Sequence, residues 1–189
     1  MKAVIAAGAD RESSAIVFEG LLLRPFQDSD ATVFVEAVRE SVESISRWMP
    51  WASHDYSAAQ TLEWFAACRA QRAAATALEF GIFSQDTGIF LGGAGLNEIR
   101  RDHRFCNLGY WVRQSRQGQG IAARCVRALA AHAFASEGLQ RVEIVVAVGN
   151  IASEKVALKS GALREGIARN RLMINDLAVP AHMFSLVPA

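Results

Sequence analysis

The sequence predicts a mixed α/β fold whose central sheet is mostly antiparallel and flanked by helices. Three observations carry this. Apolar residues recur at helical spacing between about 28 and 72, then switch to alternating spacing between 79 and 112. Short turns, not helices, interrupt the alternating stretch, which makes its three strands a meander. A glycine-punctuated, alanine-rich helix then leads into the β-branched run 141-RVEIVVAV-148, so the second half returns to strand and helix in turn.

Each element has its own signal. Residues 1–19 read as an N-terminal arm or extra strand, and 20–189 as a single domain with no repeat, low-complexity segment or linker. GLLLRPF (20–26) is a strand closed by proline. Asp28-Ser29-Asp30 supplies caps for a helix with Phe34, Ala37, Val38, Val42 and Ile45 on its apolar side. WMPW (48–51) breaks that helix. Ser57 and Gln60 form a capping-box pattern before a second helix, running to about Arg72 with Leu62, Phe65 and Ala66 inward. EFGIFS (79–84) and IFLGGAGLNEI (89–99) are strands joined at Gln85–Gly88. FCNLGYWV (105–112) alternates, with Cys106, Leu108, Tyr110 and Val112 on one face. The helix from about Gly120 to Glu137 stops at Gly138, and Asn150 caps a shorter helix ending at Gly161. Two strands near 162–169 and 182–187 complete the chain.

The stretch 117-QGQGIA-122 sits where a strand gives way to a helix. Two glycines let the backbone approach a ligand closely, and the free N–H groups of a helix start suit an anion. This is a phosphate seat. A dinucleotide fingerprint would need a third glycine where Ala123 stands and a parallel unit leading to an acid near Glu143, whereas a meander precedes this turn. The phosphate-loop pattern ending in Gly-Lys-Ser/Thr is absent from the chain.

Gln117, Gly120 and Ala122 fit the acyltransferase signature of the GNAT superfamily: Gln or Arg, Gly three residues on, then Gly or Ala two further. LGYWV before the loop, RVEIVVAVGN after the helix, and Asn150, Ser153, Gly161 and Gly166 beyond it resemble the RimJ/RimL branch, the ribosomal-protein N-acetyltransferases. LLLRPFQDSD and WMPW are similar to that branch's early segments, so the resemblance covers about 20–187. It implies a GNAT-type sheet, acetyl-CoA as acetyl donor, no metal, and direct transfer to an amine in a ternary complex. The backbone from Gln117 through Gly118, Gln119, Gly120 and Ile121 to Ala122 would hold the pyrophosphate, with Arg113 and Arg116 adding charge. Trp111, Val112 and Arg113 match the splayed strand of that superfamily. The Val112 N–H is then the expected donor to the thioester carbonyl, Asn150 a contact to the pantetheine arm, and Ser153 a hydrogen bond to the leaving thiolate. The tyrosine many members carry seven residues after the Asn is Ala157 here, and the acid some RimL-like enzymes place near Arg171–Leu172 is missing. Glu98, in GLNEI at a strand end, is the expected general base.

The remaining residues narrow the reading. A net charge of +1 exerts no long-range pull on nucleic acid or an anionic membrane, and no apolar run approaches the ~20 residues of a membrane span. Cys68, Cys106 and Cys125 have no metal spacing and read as reduced thiols of a cytoplasmic protein. His54 and His103 read as loop residues, His132 as solvent-facing, and His182 as structural. Trp48, Trp51 and Trp64 border the acceptor side. The acceptor is an amine, on a small molecule such as a polyamine or on a protein N-terminus, the latter being the branch's default. The aromatic segment and last strand could also pair between copies as a homodimer. A non-catalytic acyl-CoA sensor on the same fold is the alternative that the missing tyrosine and acid keep open.

Overall fold

The computed structural model describes residues 4–5 and 15–188. Its strands run in the order β1-β2-β3-β4-β5-β6-β7-β9-β8 across one sheet. In chain order they are β1 (Val4–Ile5), β2 (Ile16–Phe18), β3 (Leu21–Arg24), β4 (Leu78–Ser84), β5 (Phe90–Arg100), β6 (Phe105–Val112), β7 (Arg141–Ala147), β8 (Leu163–Ile174) and β9 (Leu177–Leu186). The helices are α1 (Ala31–Ile45), α2 (Ala58–Ala73), α3 (Ile121–Ala135) and α4 (Ile151–Lys159). Neighbouring strands are antiparallel except β6 and β7, which run parallel because the α3 crossover joins them. This is the mixed, mostly antiparallel sheet the sequence predicts.

The sheet is buried on both faces. On one, Ile121, Cys125, Val126, Leu129 and Ala133 of α3 meet Leu23, Ile82, Leu96 and Leu108 of the strands. On the other, Phe34, Ala37, Val38 and Ile45 of α1 and Phe65 of α2 meet Phe83, Phe90 and Trp111. Each fully buried aliphatic or aromatic side chain contributes about 1.5–3 kcal/mol, so these stripes hold the helices. The capping box at Ser57 and Gln60 forms as expected, with Ser57 N–H donating to Gln60 at 2.9 Å and Gln60 N–H returning to Ser57 Oγ at 3.3 Å.

Several local expectations are revised. Asp30 does not cap α1 with its side chain. It is buried, accepts two bonds of 2.7 Å from the Arg24 guanidinium, and takes the Gln27 N–H at 2.8 Å. The inward stripe of α2 is Thr61, Phe65, Cys68 and Arg72, while Leu62 and Ala66 are exposed. The polar members of that stripe are satisfied: Thr61 donates to Ser57 O at 3.0 Å and Arg72 to Glu79 O at 2.7 Å. His132 is buried, not solvent-facing, with its ring 6.2 Å from that of Phe80 and Nε2 3.8 Å from Glu137. Burial lowers its pKa. The last two strands are longer than their apolar patterns suggest and meet at Asn175-Asp176, both at positive φ, as a tight hairpin turn requires. Much of β8 is exposed, so selection for alternation is weak there.

Candidate active site

The site begins where two parallel strands part. β6 and β7 pair only through Phe105–Asn107 and Arg141–Glu143, after which β7 continues with β9 alone. The outer half of β6, Leu108 to Val112, therefore has an open side. The Arg113 N–H donates to Leu91 O of β5 at 2.9 Å. Successive strand N–H groups alternate in direction, so the Val112 N–H is directed to the open side. The Val112 carbonyl accepts from the Gln117 side chain at 3.0 Å.

The loop after β6 is folded against α1. Glu40 holds the Arg113 guanidinium, with Nε at 3.0 Å, and accepts the Ser115 N–H at 2.7 Å. Ser41 Oγ accepts the Gln114 N–H at 2.9 Å, and Gln117 Nε2 donates to Ser44 at 3.1 Å. The Arg113 guanidinium beside Glu40 holds that carboxyl down at about 2. Thus the Arg113 side chain, expected to add charge for a phosphate, anchors the loop instead. Gly118 and Gly120 have φ of +75° and +73°, a region that glycine enters without Cβ strain. Gly120 is the N-cap of α3 and brings no capping side chain, so the first N–H groups of the helix are left for a ligand.

A cavity of about 420 Å³ lies over this helix start, between the loop, β6 and α4. Val112, Arg116, Gln117, Gly118, Gly120, Ile121 and Ala122 line it, as do Asn150 and Ser153. Lys155 and Lys159, one turn apart on α4, complete a positive wall with Arg116, and among the described residues no carboxylate lines the cavity. Gln119 does not line it. The Asn150 side chain caps α4 by accepting the Ser153 N–H at 3.2 Å. The Tyr110 hydroxyl lies 2.9 Å from Ser153 Oγ and donates to the Ser153 carbonyl at 3.1 Å. Burial pushes the Tyr110 hydroxyl up to about 12, so it remains a proton-bearing donor at neutral pH.

A second cavity, of about 440 Å³, opens on the α1–α2 face and shares Met49, Tyr110 and Trp111 with the first. Its walls are aromatic: Phe26, Phe34, Trp51, Tyr56, Trp64 and Trp111. Its floor is cleared by glycines. A Cβ on Gly93 would come within 2.7 Å of Trp111 Nε1, and one on Gly95 within 1.9 Å of the Glu79 carboxylate. Glu79, Gly95 and Gly109 lie in one row across β4, β5 and β6. Among the described residues, Glu79 carries the only formal charge lining this cavity. Burial pushes its carboxyl up to about 7, against the opposing pull of an Asn97 hydrogen bond and the Arg72 charge. Asn97 in turn accepts from Asn107 at 2.8 Å.

The structure thus brings together Trp111, Val112, Arg116, Gln117, Gly118, Gly120, Ile121, Ala122, Asn150 and Ser153. It does not bring Glu98 to them. Glu98 lies in the β5 bulge at φ +50°, exposed, 3.6 Å from Arg171 and lining neither cavity. None of the four histidines lines either cavity, and the three cysteines are buried and line neither. Trp48 lines the first cavity, and Trp51 and Trp64 the second. Sequence reasoning missed Tyr110, Lys155, Lys159 and Glu79. The i, i+4 spacing of the lysines after an Asn cap was the one local signal available. Among the described residues, no group of three or more His, Cys, Asp or Glu could hold a metal, and no helix is long and apolar enough to cross a membrane.

Residues 20–163 match the model of the acetyltransferase (GNAT) domain. A Bacillus subtilis (strain 168) protein, YdaF, provisionally named a ribosomal N-acetyltransferase, is 29% identical over 176 residues, covering 90% of this chain and 93% of its own. The ribosomal-protein-serine acetyltransferase of Escherichia coli (strain K12) is 32% identical over 108 residues, 57% of this chain and 59% of its own. Among solved structures, a Vibrio cholerae protein provisionally named a ribosomal-protein-serine acetyltransferase superposes with a TM-score of 0.82 at 30% identity, over 92% of this chain and 97% of that one. Mycobacterium smegmatis RimJ, solved with a coenzyme A disulfide, has the same fold, with a TM-score of 0.82 at 21% identity over 98% of this chain and 85% of its own.

Proposed function

This chain belongs to the GNAT acetyltransferase family, and from that premise we propose that it moves an acetyl group from acetyl-CoA directly to a primary amine, the acceptor being a protein N-terminus. The observation that carries this reading is the opposite charge of two cavities that meet at Tyr110 and Trp111. One is walled by Arg116, Lys155 and Lys159 and suits the phosphates of the donor; the other contains a single carboxylate among aromatic rings and suits an amine. The names of the relatives, which modify ribosomal proteins, favour a protein acceptor in the cytoplasm.

The chain's residues divide the chemistry. N–H groups from Gly118 to Ala122, with the α3 dipole, hold the pyrophosphate. The Val112 N–H donates to the thioester carbonyl as negative charge grows on its oxygen. Asn150 contacts the pantetheine arm while it caps α4. Ser153 Oγ, oriented by Tyr110, donates to the departing sulfur. The thiols of Cys68 and Cys106 are each pushed up to about 12 by burial, and Cys125 is raised further for the same reason. None is a practical nucleophile, so a direct transfer in a ternary complex is favoured over an acyl-enzyme.

The test is calorimetric titration with acetyl-CoA, followed by initial-rate kinetics on a panel of peptides with free N-termini, polyamines and aminoglycosides. Micromolar donor binding, intersecting double-reciprocal lines and turnover on peptides are expected. Parallel lines would reject direct transfer, turnover on polyamines alone would move the acceptor to small molecules, and binding without turnover would leave a sensor.

A further inference from the structure

Among the residues lining the second cavity, one is chemically out of place. Its surroundings are Phe26, Phe34, Trp51, Tyr56, Trp64 and Trp111, yet a carboxylate stands on its floor. The floor is arranged around that group: Gly95 leaves the volume that its carboxylate fills, since a Cβ there would lie 1.9 Å from one oxygen. Asn97 bonds to it and is itself fixed by Asn107 at 2.8 Å. Among the described residues, no lysine, arginine or histidine lines the cavity. The Arg72 guanidinium acts on Glu79 and donates to its backbone carbonyl at 2.7 Å, but it does not line the cavity, so an apolar space with one carboxylate attracts a cation from solution, both by charge and through the aromatic faces.

We propose that Glu79 is the residue that receives the acceptor amine: its carboxylate pairs with the incoming ammonium and takes up the proton that frees the nitrogen to attack. The inference rests on the acetyltransferase reading above. Written out, the ammonium nitrogen gives one proton to a Glu79 oxygen, directly or through water. The neutral amine forms the C–N bond as the C–S bond breaks. The second proton lost by nitrogen goes to the departing sulfur, and Glu79 later releases its own to solvent. The row Glu79–Gly95–Gly109 lies one strand residue from Tyr110 and two from Trp111, where the cavities join, so the amine can be held and delivered within one continuous space.

Proton affinity fits the role. Burial puts the Glu79 carboxyl at about 7, within about one unit of an α-ammonium near 8, whereas a lysine ammonium near 10.4 is about three units away. An N-terminal amine is therefore the matched acceptor. The groups facing Glu79 are Arg72 and Cys68 of α2, Asn97 of β5, and the tyrosines Tyr56 and Tyr110 across the cavity. None of these titrates near 7: both tyrosines are raised by burial, as is Cys68, and Arg72 is a guanidinium.

The experiment compares wild type with Glu79→Gln, Glu79→Asp and Gly95→Ala on a peptide with a free N-terminus, from pH 5.5 to 9, with acetyl-CoA affinity measured on each protein. In wild type, kcat/KM rises with pH through about 7 as Glu79 loses its proton. In Glu79→Gln it falls by about 10²-fold near pH 7.5, and the limb at about 7 is replaced by one near 8, set by the acceptor's own ammonium, while acetyl-CoA binds within about twofold of wild type. Glu79→Asp restores part of the rate, with the limb displaced. Gly95→Ala, which leaves the carboxyl in the chain but pushes it aside, follows Glu79→Gln. If Glu79→Gln binds donor normally and keeps kcat/KM within about threefold with the limb still at about 7, the proposal is overturned while the acetyltransferase reading stands. If wild type itself fails to bind acetyl-CoA, both fall.

Discussion

The two cavities are of nearly equal size, about 420 and 440 Å³, and share three side chains, yet they are built by different means. The first is a backbone device. Its recognition groups are N–H groups exposed by a strand that has lost its partner and by a helix that begins on a left-handed glycine, with lysines of the neighbouring helix at its edge. The second is a side-chain device, made of bulky rings over a floor where Gly93 makes room for the Trp111 ring and Gly95 for the Glu79 carboxylate. A donor common to a whole family can be held by backbone that any sequence supplies, whereas the acceptor must be distinguished by side chains. The difference predicts that substitutions in one cavity change one substrate's parameters and leave the other's alone.

The largest effect should come from the positive wall. Replacing Arg116, Lys155 and Lys159 together by alanine removes the charges facing the phosphates. With each charge-assisted contact worth roughly 1 kcal/mol at an exposed rim, the acetyl-CoA Kd should rise by about 10²-fold and lose most of its salt dependence. The amine KM and the kcat at saturating donor should change by less than about threefold. A comparable rise in amine KM would mean that the two cavities are not separate sites. Calorimetry at two ionic strengths, with steady-state kinetics, decides it.

The residues shared by both cavities come next. Tyr110→Phe removes the hydroxyl 2.9 Å from Ser153 Oγ without emptying the volume. We expect kcat to fall by about 10- to 10²-fold with both KM values nearly unchanged, as for an interaction made mainly in the transition state. Ser153→Ala should cost a similar amount, and the double variant little more than either alone, because the two hydroxyls act as one unit. Strict additivity in that cycle would separate Tyr110 from the chemistry.

How far the sequence foretold each cavity follows the same division. The first was legible because its determinants are neighbours in the chain: Gln117 to Ala122 announce a glycine turn and a helix start within six residues, and Asn150 with Ser153 announces a cap. The second was not, because a glutamate on β4 becomes a floor only when register sets it beside Gly95 and Gly109 of two other strands. Read locally, Glu79 is one polar position of a strand, while Glu98 ends another in the superfamily's expected neighbourhood. The bulge between Asn97 and Arg100 then turns Glu98 into solvent. Tyr110 was visible as a member of an alternating face, but its partner Ser153 lies 43 residues away. His132 was assigned to a polar helix face, which Phe80 covers.

A smaller effect is expected at the rim of the second cavity. Trp51 is 43% exposed and meets Tyr56 and Trp111 edge-on, with centroids 5.8 and 6.0 Å apart. Trp51→Ala opens the aromatic wall where an acceptor enters. The amine KM should rise by about tenfold, corresponding to about 1.4 kcal/mol of lost stacking and enclosure, with acetyl-CoA affinity unchanged. Equal losses in both affinities would show that Trp51 supports the fold of the α1–α2 connection instead.

The smallest effect tests the one element that belongs to both sides. α1 supplies Phe34 to the wall of the second cavity, yet Glu40, Ser41 and Ser44 on the same helix hold the loop of the first. Glu40 is the centre of that attachment, and its carboxyl is held at about 2 by Arg113, from an ordinary value of 4.5. A carboxyl depressed in the folded state stabilises the protein fully above the unfolded value. That contribution is lost as pH falls from about 4.5 towards 2, where the native carboxylate finally takes its proton. Because the pair is partly solvated, its worth is discounted to about 1 kcal/mol. Urea unfolding should therefore find Glu40→Gln less stable than wild type by about that amount at pH 7, with the gap narrowing as the pH is lowered through 4 to 3. The loosened loop should raise the acetyl-CoA Kd by a fewfold and leave the amine KM alone. A change in amine KM larger than the change in donor affinity would mean that α1 transmits strain between the cavities, and that the two sites are coupled through the helix they share.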